Sequence, residues 1–357
     1  MPINQDARPA ETLNAESLQT YLRQHYSHLE ERLTAIQQFR GGYSNLTYRL
    51  DFGDHSVVLR RPPFGPRAAK AHDIAREFHV LSALRPVFAQ APRPLHLCTD
   101  EAVIGAPFYL MEFVPGTILR ANQQRIHQSP PPEVMKQASQ HLITTLAKLH
   151  QVPLGVGLLK LGHSSGYVQR QVEGWIQRFE RAKTKNIGSS QRISSYLLDK
   201  LPEEFTRVRN PALIHNDYKF DNLVFADERF EEVKAILDWE MCTVGDPMMD
   251  LGLTLAYWAH PEEVEEMPFL GMNQTHLAGC LRRPALVAAY SDSSGTQLPD
   301  MLYYYIFGNF KIAGIVQQIY ARYVRGHTRD ERFADLGQVV NYLLLRAERA
   351  LASGTIG

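Results

Sequence analysis

Cysteine is scarce in this sequence, and the positions of the few cysteines exclude two classes of protein. The 357 residues include three, Cys98, Cys242 and Cys280, which lie far apart and match no metal-ligand spacing. An odd, dispersed set of thiols does not form the disulfide framework of a secreted domain. We therefore expect three apolar thiols in a protein of the reducing cytoplasm.

A surplus of charge is also missing. The 38 basic and 38 acidic residues cancel, whereas a protein that coats nucleic acid needs a basic excess to neutralise phosphates. We therefore expect no nucleic-acid partner. Hydrophobic residues make up 44% of the chain, and this share excludes disorder over most of its length.

Long apolar runs are absent as well. No stretch approaches the ~20 apolar residues that cross a bilayer, and the polar N-terminus lacks the apolar run of a signal peptide. We expect no leader and no membrane association. The length exceeds what one compact core holds and therefore predicts two lobes.

The hydrophobic pattern changes along the chain. Residues 1–12 are polar and are expected to form a mobile tail, and residues 14–30 carry a helical apolar stripe. Alternating apolar residues and Gly or Pro turns then predict an antiparallel meander with one inserted helix. The predicted strands are 33–39, 46–50, 57–59 and 106–114, and the predicted helix is 68–84.

The remaining chain has mainly helical patterns. Strands are expected there only within 211–240, and residues 261–300 form a long excursion that contains Pro, Gly and Ser. The sequence therefore predicts an α+β fold in three parts. These parts are an N-terminal tail and helix (1–30), a small antiparallel β lobe with one helix (31–114), and a larger, mostly helical lobe (115–357).

Three short polar motifs fall within or shortly after the strand-rich segment of the larger lobe. They are His215–Asn222, which reads H-x-D-x4-N, Ile236–Glu240 with Asp238 at the end of an apolar strand, and Gly245–Gly252 with Asp250. A carboxylate such as Asp217 can take or orient a hydroxyl proton. The Asn222 amide oxygen and the Asp238 carboxylate can hold Mg²⁺, and these parts together serve phosphoryl transfer. The alternative is that Asp217 and Asn222 only satisfy loop backbone as turn residues.

These motifs resemble those of the aminoglycoside phosphotransferase family of small-molecule kinases, which includes choline kinase relatives. The resemblance covers about residues 30–330 and implies a bilobal, protein-kinase-like fold that binds ATP or GTP with Mg²⁺ in a cleft between the lobes. It also implies that Asp217 is the catalytic base and that Asn222 and Asp238 are the metal ligands.

The same resemblance gives roles to three more residues of these motifs. His215 matches a loop histidine whose role is architectural, and Asp250 matches a buried Asp that holds the catalytic loop through backbone N–H groups. Lys219 stands where Ser/Thr protein kinases have a lysine that contacts the transferring phosphoryl group. A solvated loop lysine is the alternative for Lys219.

The resemblance further implies two backbone segments that bind nucleotide in the smaller lobe. The phosphate-covering loop corresponds to residues between two predicted strands, although a plain hairpin turn would have much the same sequence. The hinge against adenine corresponds to the end of the last predicted strand. The residues so implied are Gly41, Gly42, Ser44 and Asn45 for the loop, and Met111, Glu112 and Val114 for the hinge.

A cation for the nucleotide phosphates is expected at the end of the third strand. The family has Lys there, whereas this chain has Arg60 and Arg61, and strand alignment favours Arg60. Glu77 is the expected partner of that cation, because an unpaired carboxylate near the apolar face of a helix would be costly. The alternative for Glu77 is contact with Arg76 or solvent.

A narrower resemblance, to the kinase-like domain fused to some acyl-CoA dehydrogenases, rests on residues 41–45, 58–63 and 307–313. In that subgroup an Arg at the strand position is not unusual. The resemblance implies a hydroxyl substrate, with a hydroxyacyl-CoA as a candidate, and a separate acyl-CoA dehydrogenase as a candidate partner. Lys311 and Arg322 are expected to be solvated groups of a helix surface, with contact to acidic substrate groups as the alternative.

Two other functions remain open at this point. A catalytically silent module that binds nucleotide or acyl-CoA is the alternative to a kinase, and the missing strand lysine favours it. A protein kinase is disfavoured, because no Ala-Pro-Glu motif and no recognisable activation segment follow Asp238.

Overall fold

The chain divides into two compact units. The computed structural model describes residues 11–26, 32–39, 45–63, 74–120, 129–162, 165–201 and 211–357, together with the backbone of residues 4–5. Unit 1 comprises Met1–Pro115 and Ala235–Glu240, and unit 2 comprises Gly116–Lys234 and Met241–Gly357. The predicted division at residues 30 and 114 stays a prediction.

Unit 1 is built on a six-stranded sheet with the order β1-β2-β3-β4-β6-β5. The first two strands are parallel and all other neighbours are antiparallel. Its strands are β1 (Asn4–Gln5), β2 (Leu33–Gln38), β3 (Leu46–Phe52), β4 (His55–Arg61), β5 (Pro94–Cys98) and β6 (Phe108–Glu112). Its helices are α1 (Ala15–His25) and α2 (Ile74–Leu84).

Alternation of apolar residues explains why β3 and β4 pair in this register. Tyr48, Leu50 and Phe52 are buried on one side of β3, as a period of two requires. Phe52 pairs with His55 across a two-residue turn, in which Gly53 has φ 51°, a conformation that favours glycine. A glycine turn thus joins these two strands, as the predicted meander requires.

Helix α1 adds its apolar stripe to the same core. The side chain of Asn14 accepts a hydrogen bond from the backbone N–H of Ser17 and caps the helix. Leu18 and Leu22, which lie four residues apart and so on one face, are fully buried in the core formed by β2 and β3.

Two short pairings in unit 1 differ from the predicted organisation. Residues 4–5 pair with β2, although residues 1–12 were expected to form a mobile tail. Strand β5 begins at Pro94 and was not among the predicted strands. The expected start of the second helix at residue 68 lies outside the described residues, and the described helix starts at Ile74.

Unit 2 is mostly helical, as predicted. Its helices are α3 (Pro132–His150), α4 (Val156–Leu159), α5 (Tyr167–Ala182), α6 (Gln191–Asp199), α7 (Pro247–Tyr257), α8 (Pro261–Glu266), α9 (Arg283–Ser294), α10 (Leu302–Val324) and α11 (Leu336–Ser353). Its short strands are β7 (Ala212–Ile214), β8 (Leu223–Phe225), β9 (Val233–Ile236, whose last two residues count with unit 1) and β10 (Thr243–Gly245). β7 pairs with β10, and β8 pairs with β9.

Helix α10 forms the centre of unit 2 and packs against α5, α7 and α11. It meets α7 through two glycines. A Cβ atom on Gly308 would lie 2.5 Å from the backbone oxygen of Gly252, and a Cβ on Gly252 would lie 2.5 Å from the oxygen of Tyr304. Because glycine has no Cβ atom, the two helix backbones can approach closely at this point. The close approach brings α10, which carries Lys311, near α7, which carries Asp250.

The three cysteines agree with the expectation of free thiols. Cys98 and Cys242 are buried, Cys280 is half-buried, and all three are free thiols. In the part of the chain that the structure describes, none of the helices has the length and apolar character needed to cross a membrane. The excursion at 261–300 contains α8, α9 and a 3₁₀ turn at Pro268–Asn273.

Candidate active site

The proposed catalytic loop of unit 2 starts where β7 ends. The chain leaves Ile214, passes through His215–Lys219, and closes in a 3₁₀ turn at Phe220–Asn222 that leads directly into β8. Since β7 and β8 are each held by a partner strand, both ends of the loop are fixed. The first and third motifs of the sequence meet here.

Asp250 anchors the start of this loop. One of its oxygens accepts the backbone N–H of His215 at 2.7 Å, and the other accepts that of Asn216 at 2.8 Å. His150 Nε2 lies 3.1 Å from the first oxygen, and the Asp250 side chain is fully buried. Burial alone would raise the pKa of Asp250. The hydrogen bond and charge of His150 and the charge of His215 lower this pKa by more than burial raises it, so the net shift is downward.

Asp217 is held by two neighbours on the same loop. Lys219 Nζ lies 2.9 Å from each of its carboxylate oxygens. Asn222 Nδ2 donates to the backbone oxygen of Asp217 at 2.8 Å and to Oδ2 at 3.0 Å. Burial raises the pKa of Asp217, yet the charge and hydrogen bond of Lys219 outweigh burial and hold this pKa below its ordinary value. Asp217 is therefore an anion at neutral pH and can accept a hydrogen bond from a hydroxyl group.

Lys219 differs from the solvated loop lysine considered as its alternative. Its side chain is 21% exposed and is paired with Asp217. Its Nζ also lies 4.8 Å from the ring centroid of Tyr257 on α7, within the range of a cation–π contact. These contacts hold a positive charge beside the carboxylate.

In unit 1, the predicted residues Glu77 and Asp238 both contact Arg60. Arg60 Nε lies 3.1 Å from Glu77 Oε2, and its Nη2 lies 3.0 Å from Asp238 Oδ1 and 3.9 Å from Glu240 Oε2. Arg60 and Glu77 are both buried. Burial lowers the pKa of Arg60, but Glu77 and the other nearby acidic groups raise it more, so the guanidinium group stays charged.

Arg61 donates side-chain hydrogen bonds to backbone oxygens of unit 1. It is buried, its Nε donates to the backbone oxygen of Pro62, and its Nη1 donates to the backbone oxygen of Ile104 at 2.9 Å. Of the two arginines, Arg60 therefore has the expected contact with Glu77, whereas the contacts of Arg76 include the backbone oxygen of Glu240.

The segment after Asp238 is also fixed within unit 1. Asp238 has φ 66°, an unusual backbone conformation for a residue with a Cβ atom and one that tends to persist at functional sites. The buried Trp239 donates its backbone N–H to Glu77 Oε1 at 3.2 Å and belongs to the core. Glu240 Oε2 accepts a hydrogen bond from Asn45 Nδ2 at 3.0 Å, so the last residue of the predicted phosphate-covering loop contacts the motif of Asp238.

The other predicted nucleotide contacts are placed only in part. Gly41, Gly42 and Ser44 lie outside the described residues. Met111 is buried in β6, and the carboxylate of Glu112 accepts the backbone N–H of Arg93 at 2.9 Å. Val114 is half-buried just after β6. Contact of this segment with adenine stays a prediction.

The donor types of Asn222 and Asp238 suit magnesium. An amide oxygen and a carboxylate are hard oxygen ligands, and Mg²⁺ usually takes one or two carboxylates and keeps several waters. Both Nδ2 hydrogen bonds of Asn222 go to Asp217, so its amide oxygen is the atom that would serve a cation. The Asp238 side chain is one-third exposed. Among the described residues, no three His, Cys, Asp or Glu side chains group as a ready-made metal cluster.

Lys311 was not predicted to belong to the site. It was expected on a solvated helix surface, but it is buried within α10 and donates from Nζ to Asn216 Oδ1 at 2.9 Å. The sequence signal that could have revealed it is the apolar character of the surrounding helix, since Asn309 is the only other polar residue from Phe307 to Ala313.

Comparison with known proteins gives the class of protein, a phosphotransferase-type protein. The chain matches the model of the phosphotransferase enzyme family over residues 35–288. It therefore belongs to this family.

Individual relatives agree with the family. Acyl-CoA dehydrogenase family member 11 of Pongo abelii is 33% identical over 329 residues, which are 90% of this chain and 41% of that protein. The chain thus spans about two fifths of the length of the curated relatives it matches.

Two solved structures share the α+β, protein-kinase-like fold. A candidate aminoglycoside phosphotransferase from Ralstonia eutropha JMP134 has a TM-score of 0.76 at 28% identity, covering 95% of this chain and 99% of that one. The spectinomycin phosphotransferase APH(9)-Ia, solved with ADP and spectinomycin, has a TM-score of 0.60 at 12% identity and covers 96% of this chain and 100% of that one. This second likeness concerns the fold alone.

Proposed function

We propose that this protein transfers the γ-phosphoryl group of ATP or GTP to a hydroxyl group of a small molecule. The observation that carries the proposal is the arrangement of Asp217, an anionic carboxylate fixed between Lys219 and Asn222 on a loop that Asp250 anchors. A fixed carboxylate with a depressed pKa can orient a hydroxyl group for in-line attack and accept its proton as the bond to phosphorus forms.

Each residue of the loop then has one task. Asp217 takes the hydroxyl proton on a carboxylate oxygen, and Lys219 supplies positive charge to the transferring phosphoryl group. His215 and Asp250 hold the loop backbone. The proposal assigns magnesium to Asn222 and Asp238; when bound, its charge offsets that of the nucleotide phosphates.

The residues of unit 1 would bind the nucleotide. Arg60, held by Glu77, is assigned to the α- and β-phosphates, where a guanidinium group can form two parallel hydrogen bonds. Two backbone segments complete the proposal. They are the phosphate-covering loop (Gly41, Gly42, Ser44 and Asn45) and the adenine-binding hinge (Met111, Glu112 and Val114).

A hydroxyacyl-CoA is the acceptor that we propose. The support is that the curated relatives are named acyl-CoA dehydrogenase family members and match this chain over two fifths of their length. The names of these relatives also support a separate acyl-CoA dehydrogenase as the proposed partner.

The base assignment is tested with Asp217→Asn. Phosphate transfer from labelled nucleotide is expected to fall at least a hundredfold, because general base catalysis contributes about 10²–10⁴. Asp227→Asn is the matched control, since Asp227 is exposed and paired with Arg229, and it should keep wild-type turnover. Wild-type turnover by Asp217→Asn would contradict the base assignment.

A silent nucleotide-binding module is the alternative, and thermal unfolding separates it from a protein that binds neither nucleotide nor metal. Mg²⁺-ATP at 100 times its Kd should stabilise the chain by about 2.7 kcal/mol, and a chelator should abolish this gain. Stabilisation without transfer to any hydroxyl compound would favour the silent module. Absence of any magnesium-dependent stabilisation at millimolar nucleotide would count against both.

A further inference from the structure

Lys311 lies in a part of unit 2 where a lysine is unusual. It sits in the middle of α10 between the buried residues Phe310 and Ile312 and is itself 4% exposed. One turn before it, Gly308 packs directly on the backbone of Gly252 in α7. This close contact fixes the position of Lys311 along α10 relative to α7, the helix that carries Asp250.

The ammonium group of Lys311 contacts the residue that precedes the proposed base. Its Nζ donates to Asn216 Oδ1 at 2.9 Å, and Tyr167 on α5 donates its hydroxyl to the same oxygen at 3.4 Å. The Nζ also lies 5.9 Å from the ring centroid of Trp175. The ammonium group therefore rests between a hydrogen-bond acceptor and an aromatic ring.

Asn216 needs this support because its backbone is unusual. It has φ 66°, a left-handed conformation that strains a residue with a Cβ atom, although asparagine tolerates it better than most such residues do. Its backbone N–H donates to Asp250, and its Nδ2 donates to the backbone oxygen of Met241 at 3.1 Å. With Lys311 on Oδ1, every polar group of the Asn216 side chain has a partner, and the direction in which the next residue leaves is set.

A buried ammonium group bonded to a neutral amide is costly to keep. Burial lowers the pKa of Lys311 to about 8, against the opposing effect of Asp250 and Asp217, while the charge of Arg178 lowers it further. Protein cores retain such a group where its interactions compensate for lost solvation. Here the compensating interaction is the hydrogen bond from Lys311 to Asn216, on the loop that carries Asp217.

We propose that Lys311 is a positioning residue for phosphoryl transfer, which holds Asn216 in its left-handed conformation and thereby sets the orientation of Asp217. The inference rests on the proposed function. Lys311 acts through Asn216, so the hydroxyl substrate and the phosphates need not touch it.

A double-mutant cycle with Asn216→Gly tests the proposal. Lys311→Met should lower kcat about tenfold or more, the effect of losing one charged hydrogen bond, and leave KM for the nucleotide within about twofold of the wild type. Glycine adopts the left-handed conformation unaided. Lys311→Met should therefore have little further effect in the Asn216→Gly background. An equal loss in both backgrounds would overturn the proposal.

Hydrogen exchange of the 213–222 segment supplies a readout that does not need activity. The amides of His215 and Asn216 should exchange at least about ten times faster in Lys311→Met. They should be unchanged in Arg322→Met, which removes a basic group from the end of the same helix. Unchanged exchange in Lys311→Met would overturn the proposal. If the wild type transfers no phosphate, the proposed function fails, while the exchange rates still decide the role of Lys311.

Lys311→Gln is a second variant that keeps the test decisive if Lys311→Met does not fold. It shortens and neutralises the side chain but keeps it polar, and it is expected to raise the exchange rates in the same direction. Wild-type exchange in this variant would contradict the positioning role.

Discussion

Arg60 stands where the family has lysine, and replacing it tests how unit 1 is held together. Two of its three guanidinium nitrogens contact different carboxylates. Nε lies 3.1 Å from Glu77, and Nη2 lies 3.0 Å from Asp238. Arg60→Met removes the cation and leaves Glu77, which is 2% exposed, without its charge partner. Breaking a buried ion pair in this way costs about 3–5 kcal/mol.

Arg60→Lys should have a smaller effect. A lysine keeps the charge but places it on one nitrogen, which cannot reproduce the two separate contacts of the guanidinium group. Loss of one charge-assisted hydrogen bond corresponds to about 1.5–3 kcal/mol. The order of stability is therefore wild type, then Arg60→Lys, then Arg60→Met.

Urea denaturation measures these differences as shifts of the unfolding midpoint at an unchanged slope. Arg49→Met is the matched control. Arg49 lies on the neighbouring strand and pairs with Asp51, and both side chains are partly exposed, so this variant should cost less than about 1 kcal/mol. Adding Glu77→Gln to Arg60→Met should restore part of the lost stability, because it removes the uncompensated charge. If Arg60→Met costs no more than Arg49→Met, the buried pair does not stabilise unit 1 as we infer.

Three further predictions concern unit 2. Asp250→Asn should destabilise the protein by about 3–5 kcal/mol in urea denaturation and abolish phosphate transfer, because an amide nitrogen then faces a backbone N–H in a fully buried place. Gly308→Ala should cost about 1–3 kcal/mol, measured in the same way, since its Cβ would lie 2.5 Å from the oxygen of Gly252. Lys311, with its pKa lowered from 10.5 to about 8, binds more protons when unfolded than when folded between these values. The stability of the wild type relative to Lys311→Met should therefore rise by about 3 kcal/mol from pH 8 to pH 10.5, and a flat difference would contradict the burial of a charged lysine.

Local pattern was enough to predict the meander of unit 1 and the placement of Asp217 beside Asn222. The Gly53-Asp54 turn and the alternation in β3 are local signals, and the H-x-D-x4-N spacing brings Asp217 and Asn222 together within a single turn of chain. Such features need no knowledge of the tertiary structure.

Strand β5 could not be predicted in the same way. Pro94 suggests an interruption, but β5 is the edge strand beside β6, and an edge strand tolerates proline at its first residue. Whether a strand lies at an edge is a property of the whole sheet.

The burial of Lys311 is a second tertiary effect. A lysine on a helix is ordinarily solvated, but this one is enclosed by residues distant in the chain, among them Asn216 and Trp175. The ion pair of Arg60 with Asp238 joins residues 178 positions apart in the chain, and no local rule connects them.

The measurement that tests the central claim most directly is transfer of labelled γ-phosphate from Mg²⁺-ATP or Mg²⁺-GTP to a panel of hydroxyacyl-CoAs and other hydroxylated metabolites. Wild-type protein is expected to form a phosphate ester on a hydroxyl group of at least one compound. Asp217→Asn should form at least about a hundredfold less while still being stabilised by the Mg²⁺-nucleotide. Nucleotide binding without ester formation on any hydroxyl compound, or equal ester formation by the Asp217→Asn variant, would contradict the account.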